Sequence, residues 1–169
     1  MSKPKPEDYG HFYEPYISKI EATSLQNAVS TYADALTQFY LDLPEEKADF
    51  RYDVNKWSLK DLLQHVIDTE RIMSYRMLRI ARNDQNALPG FDEVNYALEA
   101  NATVRTFVSL KEEFNAVRTS TKLMIQSFSE AQLCNKGTMS GSNITANALG
   151  FIILGHLKHH QQVITERYL

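Results

Sequence analysis

The chain has 169 residues, 43% of them hydrophobic, and sets 18 Lys and Arg against 21 Asp and Glu for a formal charge of −3. That length suits a single domain over residues 1–169, able to bury about two-thirds of its extended surface without disulfide or metal, so any metal is expected to be functional. The scattered basic residues exclude the cationic face of a nucleic-acid binder, the lone Cys134 excludes an intrachain disulfide, and no run approaches the roughly 20 apolar residues of a membrane span.

Met1 to Asp8 carries no apolar targeting segment, and a soluble, cytoplasmic protein is expected. Residues 1–7 read as a loose tail. Tyr9, Phe12, Tyr13, Tyr16, Ile17 and Ile20 recur at helical spacing and predict a short amphipathic helix, which Pro15 bends or starts. A second helix opens at Ser24 as N-cap and carries Leu25, Ala28, Val29, Tyr32, Leu36 and Phe39 toward Pro44. Residues 44–56 are a charged connection with room for one helical turn. Ser58 with Asp61 three residues on forms a variant capping box and starts a third helix ending near Asn83-Asp84.

Residues 85–101, with Leu88-Pro89-Gly90-Phe91-Asp92-Glu93, read as an irregular connection, long for a bundle and for that reason a candidate functional loop. A further long helix is expected from Thr103 to Phe128, with Phe107, Leu110, Phe114, Val117, Thr121, Met124 and Phe128 inward. Ser129 to Leu133 suits a short turn, Cys134 to Asn143 a loop with a buried or half-buried free thiol, and Thr145 to Leu169 the last helix. With only six Gly and five Pro in the chain, the reading is an all-α four-helix bundle around a single core, with a short extra N-terminal helix.

Histidines carry the chemical signal. On the last helix His160 projects about 40° from His156, in the stripe that holds Leu149, Ile152, Ile153 and Val163, whereas His159 lies about 60° to the other side, at the stripe's edge. His65 shares an inward face with Leu62, Thr69 and Ile72. Burying three imidazoles without partners costs on the order of 1–3 kcal/mol each. A divalent ion held by His65, His156 and His160 removes that cost and leaves a coordination position for water or a thiol.

Trp57-Ser58-x-x-Asp61-x-x-x-His65-x-x-Asp68-x-Glu70-Arg71, then Leu88-Pro89-Gly90-Phe91-Asp92-Glu93, then Gly155-His156-x-x-x-His160 ahead of Glu166-Arg167-Tyr168-Leu169, resembles the DinB-like superfamily from Tyr9 to Leu169. The resemblance implies a four-helix bundle, usually dimeric, with a divalent metal on one histidine of the second long helix and two of the last: here His65, His156 and His160. It is similar in fold to bacillithiol and mycothiol-dependent enzymes, in which the metal activates a low-molecular-weight thiol, and to members named as metal-dependent hydrolases or stress-induced proteins. Its implied partners are a small-molecule substrate and a second copy of the chain.

Four carboxylates are weaker candidates. Asp68, one turn from His65, is placed to orient that ring or to sit at the surface. Glu70 projects about 140° from His65 and suits interhelical pairing. Asp92 and Glu93 are a base or substrate contact if the loop reaches the metal, and an N-cap otherwise. His159 and His11 read as packing or surface residues. Three functions stay open: thiol transfer, favoured if Arg71, Arg76 or Arg79 lines the mouth; metal-dependent hydrolysis, favoured by a carboxylate one water from the ion; and non-catalytic binding or sensing. An all-imidazole set accepts Zn, Ni, Cu, Co or Fe, with Zn or Ni placed first.

Overall fold

The computed structural model describes residues 1–169. The N-terminal residues are tied down and not a loose tail: Lys3 N–H donates to the Thr23 carbonyl at 3.0 Å, and the Asn147 amide donates to the Ser2 carbonyl at 3.0 Å. The expected helix over residues 9–20 breaks into short 3-10 turns followed by α1 (Glu14–Ile17), whose first turn takes Pro15. A proline there loses no helical hydrogen bond, but it cannot continue a helix arriving from Tyr9.

The other helices follow in order: α2 (Leu25–Leu41), α3 (Leu59–Ala81), α4 (Glu93–Ala100), α5 (Phe107–Gln126), α6 (Glu130–Cys134) and α7 (Ala146–Arg167). The four long ones start alike. Ser24, Ser58, Thr106 and Thr145 each accept from the backbone N–H three residues on, at 3.1–3.2 Å. Each such cap satisfies a donor the helix leaves open and stabilises it by about 1 kcal/mol. At Ser58 the box closes reciprocally, with Asp61 accepting from Ser58 N–H at 2.9 Å.

Two stretches expected as loops are structured. Residues 85–101 hold α4, started by Asp92, which accepts from both Val94 and Asn95 N–H at 3.1 Å. Residues 134–143 hold most of a hairpin, β1 (Lys136–Met139) against β2 (Ser142–Thr145), paired Lys136 to Thr145 and Met139 to Ser142. Its two turn residues, Ser140 and Gly141, have φ of 49° and 79°, the left-handed pair that a tight hairpin demands. Leu88 joins the hairpin through bonds with Thr138 and Ser140. Cys134 ends α6 exposed, not buried.

α2, α3, α5 and α7 form the four-helix bundle, but its interior is not one core. An apolar cluster at one end includes Ile17, Leu25, Met77, Phe151 and Ile153, and a second at the other includes Tyr40, Leu63, Phe114 and Ile164. Between them lies a polar layer. Arg118 of α5 pairs with Glu70 of α3 at 2.6 Å, both side chains 3% exposed, and Thr69, Thr121 and His156 are buried as well. Arg118 and Ile125 are buried beside the expected Val117 and Met124, which pack half-buried against the two clusters.

α7 is buried on every face from Ala146 to Leu157, which requires its neighbours to approach closely. At Gly155 a Cβ would lie 2.1 Å from the Tyr16 carbonyl oxygen, so the α1 backbone rests directly on α7. Gly155→Ala is expected to lower the unfolding free energy by about 3 kcal/mol in urea titrations, since backbone and not a mobile side chain must move. Arg118→Met strands Glu70 as an uncompensated buried charge and is expected to cost about 3–5 kcal/mol, much of it recovered in the double variant with Glu70→Leu.

Candidate metal centre

The capped start of α3 fixes His65 in its second turn, with the Trp57 ring 4.8 Å away, centroid to centroid. His156 and His160 stand on successive turns of α7, and Tyr16, brought in by the contact at Gly155, lies 5.5 Å from His156. The ring nitrogens converge. His156 Nε2 is 3.1 Å from His65 Nε2 and 3.1 Å from His160 Nε2, and one nitrogen from each of the three rings falls within 4.8 Å of the others.

A neutral imidazole offers at Nε2 either one N–H or one lone pair, so His156 Nε2 cannot serve both neighbours. Nitrogens about 2.05 Å from a shared ion are separated by about 3.1–3.4 Å at tetrahedral or slightly narrower angles. The His65–His156 and His156–His160 separations therefore match nitrogens that share a first-row dication. Burial keeps the rings unprotonated: it pulls His65 down to about 4, aided by His159, and His160 down to about 3, aided by His65 and His159. His156 is held well below its ordinary value by burial and then by the other histidines.

The rings face a cavity of about 520 Å³. One stripe of α3 supplies His65, Thr69, Met73 and Arg76; Tyr13 and Tyr16 close a second side, Ile152 sits on α7, and Phe91, Ser140 and Ser142 form the far end. Thr69 Oγ1 is buried with no hydrogen-bond partner, as is His160 Nδ1. His159 lines the wall half-buried and edge-on to Tyr16, with ring centroids 5.6 Å apart, outside the converging set. His11 is exposed.

Three of the four candidate carboxylates turn elsewhere. Asp68 accepts from Gln64 Nε2 at 3.0 Å, Glu70 is committed to Arg118, and Asp92 caps α4. Glu93 reaches the cavity rim, exposed, where its charge adds to burial in raising the Tyr16 hydroxyl above its ordinary value. Of the arginines, Arg71 pairs with Glu113 and Arg79 with Asp84, while Arg76 lines the cavity. Thr69, expected on the inward face of His65, and Arg76, the one of the three candidate mouth arginines that lines the cavity, continue the His65 stripe at i+4 and i+11. Ser140 and Ser142 carried no such signal, because the hairpin itself was read as loop.

A family model described as the DinB superfamily matches residues 29–164. The chain belongs to the DinB superfamily. Over 90 residues it is 27% identical to an Oceanobacillus iheyensis protein provisionally named a metal-dependent hydrolase, a match covering 52% of this chain and 51% of that one. The chain thus aligns with about half the length of this curated relative. Among solved structures, YfiT from Bacillus subtilis, described as a probable metal-dependent hydrolase with an unusual four-helix bundle topology, superposes at a TM-score of 0.68 with 17% identity, over 97% of this chain and 90% of that one. A mycothiol-dependent maleylpyruvate isomerase gives 0.63 with 12% identity, over 77% of this chain and 56% of that one. At these identities the likeness of the DinB-superfamily chain to both structures is one of fold. No helix of the chain is long and apolar enough to cross a membrane.

An unfolded histidine titrates near 6.5. With His65 at about 4 and His160 at about 3 in the fold, unfolding takes up protons below 6.5. The metal-free protein should hold its full stability above that pH and lose about 1.4 kcal/mol per pH unit for each ring as pH falls from 6.5 toward 4. Urea midpoints of chelator-treated protein across this range test it; a pH-independent midpoint would show rings that stay solvated.

Proposed function

We propose that the chain is a divalent-metal-dependent enzyme in which His65, His156 and His160 hold the ion, zinc or nickel, through Nε2, and that it transfers a low-molecular-weight thiol to a small electrophile. The observation carrying this reading is the company the three neutral rings keep: they open onto a largely aromatic cavity whose one carboxylate, Glu93, is exposed at the rim and not beside the rings. Water needs a positioned base to give up its proton efficiently, and such a base contributes roughly a hundredfold or more to rate. A thiol ionises near 8.5 unaided. The ion, when bound, supplies Lewis acidity that lowers the pKa of such a ligand.

The chain's own residues do the rest. Trp57 and Tyr16 brace His65 and His156 against rotation, so the lone pairs stay aimed at one point. Met73, Ile152 and Phe91 exclude water along the path of the reactants, which strengthens every charge interaction inside. The thiol dependence named for the maleylpyruvate isomerase supports the thiol reading. The hydrolase descriptions of the Oceanobacillus protein and YfiT support metal dependence and favour a second reading, hydrolysis, in which Glu93 would relay a proton from the rim.

Elemental analysis of protein purified without added metal tests the ligand set: His65→Ala and His160→Ala are each expected to lose the bound metal, and full retention in both sinks it. Turnover of a generic electrophile with several thiols then tests the chemistry. Glu93→Gln is expected to leave thiol-dependent turnover nearly unchanged, whereas turnover that needs no thiol and falls roughly a hundredfold in Glu93→Gln would hand the site to hydrolysis.

A further inference from the structure

The bundle buries two arginines, and they are treated oppositely. Arg118, 3% exposed, is neutralised by Glu70 at 2.6 Å. Arg76, 4% exposed, has no carboxylate oxygen within 4.0 Å. Its contacts are the Pro89 carbonyl at 2.6 Å, the Met73 sulfur at 3.6 Å and the face of Phe91, 5.6 Å from the ring centre. A guanidinium has five N–H groups, and these contacts use two. Three remain, on a cation whose burial pulls its pKa below the ordinary value, opposed only by the hydroxyls of Tyr13 and Tyr96. A buried charge left without a counter-charge costs several kcal/mol, and this one lines the cavity that holds the three histidines.

We infer that Arg76 is the anion subsite of that cavity and that the pocket takes an elongated organic carboxylate, its carboxylate paired with the guanidinium and its other end at the histidines. This rests on reading the cavity as a substrate site. Guanidinium N–H groups match a carboxylate in a two-point pair, and contacts to Pro89, Met73 and Phe91 fix the plane in advance. No lysine or second arginine lines the cavity, so one negative charge is matched and a phosphate dianion is not. The Ser140 and Ser142 hydroxyls stand at the same end, because the Pro89 that anchors Arg76 adjoins Leu88, which is bonded to the hairpin.

Length follows from helix geometry. Eleven residues of α3 separate the Cα atoms of His65 and Arg76 by about 16 Å along the axis, and the Arg76 side chain folds back toward Met73, leaving roughly 10 Å between guanidinium and imidazoles. The intervening wall, Met73, Ile152 and Tyr13, is apolar or aromatic apart from the Thr69 and Tyr13 hydroxyls. A ligand body of methylene or aryl groups suits it.

Isothermal titration of the full-length protein as purified, with 4-phenylbutanoate and its neutral isostere 4-phenylbutanamide as probes, tests the assignment. The carboxylate should bind on the order of ten- to a hundredfold more tightly than the amide, the range for hydrogen bonds to a charged group. Arg76→Gln should abolish that preference, Arg76→Lys should restore part of it, and His65→Ala should leave it intact. Equal affinity for the two probes, or no saturable binding of either, overturns the subsite, and this comparison needs no variant to fold. A preference that survives Arg76→Gln but vanishes in His65→Ala also overturns it, because the metal and not Arg76 would then hold the carboxylate. Failure of the metal reading shows separately, as metal retained in the histidine variants.

Discussion

A polar layer across the middle of the bundle sets the register of α3, α5 and α7. Stranding one partner of a buried ion pair is costly, so Arg118 of α5 must stand level with Glu70 of α3. On the adjoining faces of the same layer, His65 of α3 must stand level with His156 of α7. Sliding α3 by one turn, about 5.4 Å, would break both pairings together. The apolar clusters on either side supply most of the burial energy, but they are permissive: Leu, Ile and Met tolerate small shifts. The layer is what makes one alignment better than its neighbours, and that alignment is the one in which three ring nitrogens converge.

The cavity is built by segments outside the bundle, each anchored for a different reason. Absence of a side chain at Gly155 lets the α1 backbone lie on α7 and deliver Tyr16 to the rings. The Ser140-Gly141 turn folds the hairpin tightly enough to pair with Leu88. Arg76 then fastens the following Pro89, which holds Phe91 over the guanidinium. Rings from distant stretches of chain meet around one space because backbone hydrogen bonds position each stretch.

The four long helices were legible because period and, at Ser24 and Ser58, caps agree, and the last was rightly started near Thr145; α5 starts at its Thr106 cap and not at the expected Thr103, because residues 102–104 form a separate 3-10 turn. His65, His156 and His160 were legible for the same reason, since a helical projection places them inward without knowledge of tertiary contacts. What escaped depended on long-range pairing. The strands Lys136–Met139 and Ser142–Thr145 are too short to show alternation, and the eight-residue α4 follows closely on Pro89-Gly90, which reads as irregular chain. Arg118 is absent from the inward residues that the periodicity of α5 picks out, because its partner Glu70 lies 48 positions away. The unmatched state of Arg76 is likewise invisible in a string of letters, which does not show where a carboxylate is missing.

His65 and His156 are 91 positions apart in the chain. A flexible unfolded chain gives little chance of finding both, together with His160, around one point. An ion bound by all three would therefore distinguish the native state from nearly every other conformation. Each tenfold excess of free ion over its dissociation constant would add about 1.4 kcal/mol to native-state stability by mass action. The split of this cluster between α3 and α7 would tie its occupancy to the docking of the two halves of the bundle, so that metal supply and protein lifetime would become coupled quantities.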